Sequence, residues 1–311
     1  LSEGQNASDG ARRTELIALA EELRPELHRY CSRLMGSVID GEDVVQDTLT
    51  KALVASDELQ DMPMRRAWLF RVAHNRALDL LRSRTVRAAE PIEAAGNVAD
   101  DAEPDPVEML MRQEAIETAV SRFTELPVLQ RSVIILKDVL DESLADIAGL
   151  LDLTVDSVKA HLARGRARLR EINTATDREP VARSTSEAVA RYVALFNQHD
   201  WEGLRALLAG DVKLHQSTHP MRVGAADVGM FFSIYAKIDG LWLVPAWLEG
   251  REVIAVFENR TDPKPSYIMW LEWREGKISF IRDYRYVRYV VADAELALTG
   301  DAGRNLIIPQ A

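Results

Sequence analysis

Residues 142–171 read ESLADIAGLLDLTVDSVKAHLARGRARLRE. Leu144, Ile147, Ala148 and Leu151 recur at helical spacing, and a second helical pattern follows a short break. Ser143 precedes the first pattern with Asp146 three residues on, a capping-box variant that satisfies an orphaned backbone N–H. Asp152 and Leu153 make the turn, and Thr154 caps the second helix. In that helix Val155, Val158, Leu162 and Leu169 are expected to point inward. Ser157, Ala160, His161, Arg164 and Arg168 are expected to point outward, with Lys159 and Arg166 at the flanks. Caps, turn and charge agree on a helix-turn-helix. Such a motif offers the early residues of its second helix to base edges and its basic flanks to phosphates. Ser157, Lys159, Ala160 and His161 are the base-edge candidates, and Arg164, Arg166 and Arg168 the phosphate candidates. The competing reading is a basic, solvated helix at the end of a bundle.

Upstream lies a second helical part. Leu16, Leu19, Leu23, Leu27 and Leu34 have near-helical spacing, with Cys31 among them as a small core residue. GEDVVQDTLTKAL (residues 41–53) carries Val44, Val45, Leu49, Ala52 and Leu53 as its buried stripe. That stripe leaves Glu42, Asp43, Gln46, Asp47 and Lys51 on the outer side. RRAWLFRVAHNRALDLLRSRTVR (residues 65–87) has Leu69, Val72, Ala73, Ala77 and Leu80 on its apolar side. Arg71, Asn75 and Arg82 share another face, where cations and an amide suit phosphate contact with some base contact. Arg65 and Arg66 lead into this helix. Trp68 reads either as a base-stacking ring or as core.

The whole chain bounds these readings. It has 311 residues, with 38 Lys+Arg against 49 Asp+Glu, a formal net charge of −11. That length suggests two or three domains. At 47% hydrophobic and 28% charged residues it can bury real cores, which argues against wholesale disorder. One Cys excludes a disulfide framework and a Cys-based zinc site, so a reducing cytoplasm is expected, with no cofactor or metal. No apolar run reaches a membrane span, and the first ten residues lack a signal-peptide pattern. The acidic balance argues against coating nucleic acid by bulk charge. Positive charge is instead concentrated in the two helical stretches just described. Between them, residues 91–109 are rich in Pro and carboxylates and carry no Lys or Arg, which reads as a linker.

Together these segments carry a resemblance. GEDVVQDTLTKAL, then RRAWLFRVAHNRALDLLRSR, then LPVLQRSVIILKDVL leading into the helix-turn-helix, resemble the bacterial extracytoplasmic-function (group 4) RNA polymerase sigma factors over about residues 15–172. The resemblance implies sigma region 2 at 15–88, an acidic linker at 89–106 and sigma region 4 at 107–172. Region 2 would recognise and melt the −10 element through Arg65, Arg66, Trp68, Arg71, Asn75 and Arg82, helped by the loop SDELQDMPM (residues 56–64). Glu42, Asp43, Gln46 and Asp47 would grip the β′ coiled coil of the RNA polymerase core. Region 4 would read the −35 element and meet the β flap. His161 stands where the family often has Arg. Gly165 stands where Ala is usual, at a helix cost of about 0.5–1 kcal/mol.

After a break at 173–185 the composition turns aromatic. TSEAVARYVALFNQHDWEGLRALLAG (residues 185–210) reads as two helices joined at 197–201. A strand at 211–217 and a helix at 226–238 follow. Further strands are expected around 241–250, 252–259, 266–276 and 277–290. This order resembles the SnoaL-like (NTF2-like) fold, an α+β cone spanning residues 186–298, with 299–311 as a tail. The fold class expected is thus multidomain: two all-α sigma modules followed by an α+β cone. The cone implies a pocket, for which His215, Phe231, Tyr235, Trp247, Trp270 and Asp283 are the candidates. Asp283 falls where enzymes of this fold keep an acid or base. Its alternative is an ion pair with Arg282, Arg285 or Arg288, with the aromatics as core.

The resemblances imply a promoter-specific initiation subunit, not an enzyme, with RNA polymerase core and promoter DNA as partners. Its C-terminal domain would contact and regulate the sigma modules, so a separate anti-sigma factor is not required. Two alternatives stand beside it. One is a helix-turn-helix regulator with a ligand-binding domain. The other is a SnoaL-like enzyme on a vestigial sigma scaffold.

Overall fold

In a computed structural model the chain forms two compact units, residues 1–177 and 178–311. The structure describes residues 2–54, 65–85, 106–175 and 184–299. The expected loop at 56–64, most of both linkers and nearly all of the tail lie outside the described residues.

The first unit is helical. Its elements are α1 (Ser2–Met35), α2 (Val38–Val54), α3 (Arg65–Thr85), α4 (Pro106–Glu117) and α5 (Val128–Ile134), then α6 (Leu144–Leu151) and α7 (Val155–Thr174). A 3-10 turn, Val120–Glu125, precedes α5, and a π turn, Ile135–Val139, continues it. Gly36, with φ at +70°, turns the chain from α1 into α2 in the left-handed region that glycine adopts without strain. The apolar stripes of α1, α2, α3, α5, α6 and α7 contribute to one continuous core, which includes Leu27, Tyr30, Leu49, Phe70, Phe123, Ile135, Ile147 and Leu162. Arg131 is buried in this core, where desolvation lowers its pKa to about 10. Its guanidinium donates to the carbonyls of Leu34, Thr124 and Leu126 at 2.6–3.0 Å. These bonds tie the end of α1 to the start of the C-terminal helical part.

The second unit has α8 (Glu187–Asn197), α9 (Trp201–Ala206) and α10 (Ala225–Tyr235). They accompany seven strands: β1 (Leu208–Gln216), β2 (Arg222–Val223), β3 (Trp242–Leu248), β4 (Arg251–Phe257), β5 (Tyr267–Arg274), β6 (Lys277–Asp283) and β7 (Ala297–Leu298). Ser186 and Asp200 cap α8 and α9. The strand order is β2-β1-β6-β5-β4-β3-β7, antiparallel except for the parallel pair β1–β6.

This corrects the expected cone. The sheet is open and does not close or curl on itself. Its end strands are two residues each, and each pairs on one side only. So short an edge leaves no ladder with which to close. A second correction concerns the run 277–290. The strand stops at Asp283, because the backbone N–H of Arg285 bonds back to the Asp283 carboxylate at 3.0 Å and starts a turn.

Candidate nucleic-acid interface

The helix-turn-helix forms as its caps require. Ser143 Oγ accepts from the Asp146 N–H at 3.1 Å, and Thr154 Oγ1 from the Ser157 N–H at 3.1 Å. Asp152, between the helices, takes the left-handed conformation (φ 56°). Val158, Leu162, Leu169 and Ile172 face the core. Gly165 joins them at closest approach to Ile134 and Gln130 of α5.

Two of the second helix's candidates, His161 and Ala160, depart from the expected outward placement, and a third, Arg166, expected at the flank for phosphate, is engaged within the protein. His161 is buried, one turn from both Val158 and Gly165 and so beside their stripe. Burial, then the nearby Arg164, lowers its pKa, so the ring is held neutral. Ala160 is only 3% exposed although it lies across the helix from that stripe. Arg166 is committed to a bidentate ion pair with Asp138, at 2.9 and 2.6 Å. Asp138 is fully buried, so this pair belongs to the packing of α7 against the π turn. Ser157, Lys159 and Arg164 are half-buried, Arg164 reaching His161 at 3.3 Å. Arg168 is exposed and pairs with Glu171 at 3.0 Å.

On α3, Asn75 and Arg82 are exposed and Trp68 packs partly against the core. Arg65 is half-buried. Arg71, on the same face as Asn75, donates to the Gly149 carbonyl of α6 at 2.8 Å. Arg66 bonds Glu26 of α1 at 2.7 Å, bonds Glu142 ahead of α6, and lies over the Phe70 ring at 4.8 Å. Burial would lower the Arg66 pKa, but the two carboxylates more than offset it and raise it. Periodicity alone did not expose the roles of Glu26 and Glu142, because both partners are remote in sequence.

Of the four candidates for polymerase contact on α2, Glu42 departs from the outer face. It is fully buried and paired with Arg24 at 2.7 Å. Asp47 is exposed and paired with Arg76 at 2.7 Å. Asp43 and Gln46 are half-buried. Among the described residues no helix is long and apolar enough to cross a membrane.

In the second unit the six pocket candidates do not converge. Strand register puts His215 and Trp270 opposite Arg282, on the other face of the sheet from Asp283. Trp247 stands on β3, three strands from β6. Phe231, Tyr235 and Asp283 do meet, with the rings of Phe231 and Tyr235 4.5 Å apart. Asp283 Oδ2 accepts from Gln216 Nε2 at 2.7 Å and from the Tyr235 hydroxyl at 3.2 Å. Tyr235 and Tyr267 share a hydrogen bond of 3.0 Å. Desolvation, against these hydrogen bonds, raises the Asp283 pKa to about 6. Of the proposed ion-pair partners, Arg288 is bound to Glu258, and Arg285 stacks over Tyr235 while its backbone holds the carboxylate. The alternation of β1 and of β5 was the available signal for Gln216 and Tyr267.

Family comparisons agree with the two helical parts. A sigma-70 region 2 model matches residues 19–87, and a sigma-70 region 4 model matches residues 118–169. The RNA polymerase sigma factor CnrH of Cupriavidus metallidurans is 38% identical over 138 residues, covering 42% of this chain and 71% of that protein. The ECF RNA polymerase sigma factor SigL of Mycobacterium tuberculosis is 33% identical over 118 residues, covering 37% of this chain and 67% of that one. The chain belongs to the ECF RNA polymerase sigma factors. The ECF sigma factor SigG of Mycobacterium tuberculosis is 30% identical over 225 residues, 64% of this chain. The chain spans 60% of SigG's length. Among solved structures, the ECF sigma factor SigJ of Mycobacterium tuberculosis aligns over 90% of this chain and 99% of its own, at 20% identity and a TM-score of 0.32. A ketosteroid isomerase-like protein from Kribbella flavida aligns over 31% of this chain and 73% of its own, at 22% identity and a TM-score of 0.24. Both superpositions are too loose to argue from.

Proposed function

We propose that this ECF sigma factor directs bacterial RNA polymerase to promoters in the cytoplasm. Region 2 grips the β′ coiled coil and opens the −10 element, while region 4 reads the −35 element and meets the β flap. The observation that carries this reading is the ordered pair of matches, region 2 then region 4, the second built on a fully capped helix-turn-helix. An ordinary helix-turn-helix regulator has no need of the first. The exposed Asn75 and Arg82 on α3 and Arg168 on α7 are the side chains best placed for DNA. Asp43, Gln46 and Asp47 remain the candidates for polymerase.

The second unit acts as a SnoaL-like regulatory module rather than as a catalyst. Asp283 and Tyr235 are 0% and 1% exposed, whereas a general base must come within hydrogen-bond reach of a substrate proton. Regulation in cis makes a separate anti-sigma factor unnecessary.

The test is transcription from a promoter library by core polymerase mixed with the purified chain. Promoter-specific transcripts are expected, with their −10 and −35 sequences read directly. Specific duplex binding without polymerase, and no transcripts with it, would instead favour the regulator reading.

A further inference from the structure

Arg164, Arg166 and Arg168 follow one another at every second position of α7, and the structure satisfies each differently. Arg166 is committed to the buried Asp138 at 2.9 and 2.6 Å, and Arg168 to the exposed Glu171 at 3.0 Å. Arg164 meets no carboxylate among the described residues; its Nη2 donates to Nδ1 of His161, one turn earlier, at 3.3 Å.

That bond fixes the state of the ring. A guanidinium has no acceptor to offer and an imidazolium has no lone pair, so the contact exists only with Nδ1 unprotonated and the proton on Nε2. Burial, and then Arg164 itself, favour this neutral form. His161 is 8% exposed, so packing holds its ring in place. Arg164 is half-buried, on the helix face that it shares with Ser157 and Arg168.

A carboxylate partner orients a guanidinium but offsets its charge, and it must be left behind when a phosphate arrives. An uncharged ring nitrogen orients the same group and leaves its charge whole. An arginine side chain also loses rotamer freedom when a phosphate fixes it. Held by His161 beforehand, Arg164 has given up part of that freedom before DNA arrives.

We propose that His161 is a positioning residue for promoter binding, its Nδ1 holding the Arg164 guanidinium for a phosphate of the −35 element. This role rests on the reading of α7 as the −35 helix. It gives the histidine, found where the family often has arginine, a task that arginine could not perform, because arginine has no acceptor.

Holoenzyme assembled from core polymerase and the full chain tests the role, with a labelled promoter duplex recovered from the transcribed library as the probe. Arg164→Ala should weaken binding several-fold and lower the log–log salt slope by about 0.9, as loss of one duplex phosphate contact requires. His161→Phe keeps a ring, removes the acceptor, and should also weaken binding several-fold. His161→Asn, whose amide oxygen can stand near the Nδ1 position, should restore most of that loss. Added to Arg164→Ala, His161→Phe should cost nothing further, since the side chain that it positions is gone. Additive losses, or no rescue by Asn, overturn the positioning role. The imidazole 15N spectrum of the wild-type chain at neutral pH needs no stable variant. It should show His161 protonated at Nε2 alone; the other tautomer, or a doubly protonated ring, overturns the role as well. If the wild-type chain yields no transcripts with core polymerase, the proposed function fails and the role falls with it, whereas transcripts with additive losses refute the role alone.

Discussion

A Cβ placed on Gly165 would stand 2.6 Å from Ile134 Cδ1 and 3.3 Å from Gln130 Cβ. Helix propensity alone would favour Ala here by about 0.5–1 kcal/mol. The close approach of α7 to α5 reverses that preference, because a buried Ile134 has little room to withdraw. Gly165→Ala should therefore lower stability by about 1 kcal/mol net, read as a lower denaturant midpoint at constant m-value; a gain would show that Ile134 repacks without strain. From the sequence only the propensity side of this balance was legible. The crowding comes from residues 31 and 35 positions away along the chain, and no local pattern carries it. The burial of Glu42 escaped for the same reason, since its partner Arg24 lies on another helix.

Elements were more legible than the fate of individual cations upon them. The caps at Ser143 and Thr154 were readable because a cap is a contact over three residues. The role of Arg166 on α7 was not, since its partner Asp138 lies 28 residues away on another element. Arg166 meets a fully buried Asp138, whereas Arg168 meets only the exposed Glu171. Removing one partner of a buried pair strands the other charge and costs about 3–5 kcal/mol, while a surface pair contributes about 0–1 kcal/mol. Arg166→Ala should thus destabilise the first unit by about 3 kcal/mol in chemical denaturation. Arg168→Ala should leave the melting curve unchanged and reduce the salt slope of promoter binding by about one. Equal stability losses in the two variants would refute this division of labour. In the second unit, alternation gave five of the seven strands in their order along the chain and missed the two-residue β2 and β7. It did not give the open edge, which depends on how short β2 and β7 are, nor the turn at Asp283, which a side chain-to-backbone bond imposes.

At the scale of the molecule, the two units carry buried titrating groups of opposite sense. His74 of the first unit is buried beside Tyr30, with which it shares a 2.7 Å hydrogen bond, while Ser132 bonds the same phenol. Burial, then Arg82, lowers the His74 pKa to about 4. The unfolded chain binds this proton first, so His74's contribution is full above about pH 6.5 and is lost as pH falls toward 4. A shift of that size corresponds to about 3 kcal/mol. Asp283 of the second unit is raised to about 6, so its folded state binds the proton first. Its contribution is absent at neutral pH, grows as pH falls through 6, and is complete below the unfolded value near 4, again at about 3 kcal/mol. Calorimetry of the full chain at pH 7 and pH 4.5 should therefore show two transitions moving toward opposite ends of the temperature scale, each by several degrees. His74→Phe should flatten the pH response of the first alone, and Asp283→Asn that of the second alone. Two transitions that fall together on acidification, with neither variant altering its slope, would mean that other groups govern the acid response. Opposite movement would mean that acid weakens the unit bearing the helices proposed to read the promoter while it strengthens the module proposed to regulate them.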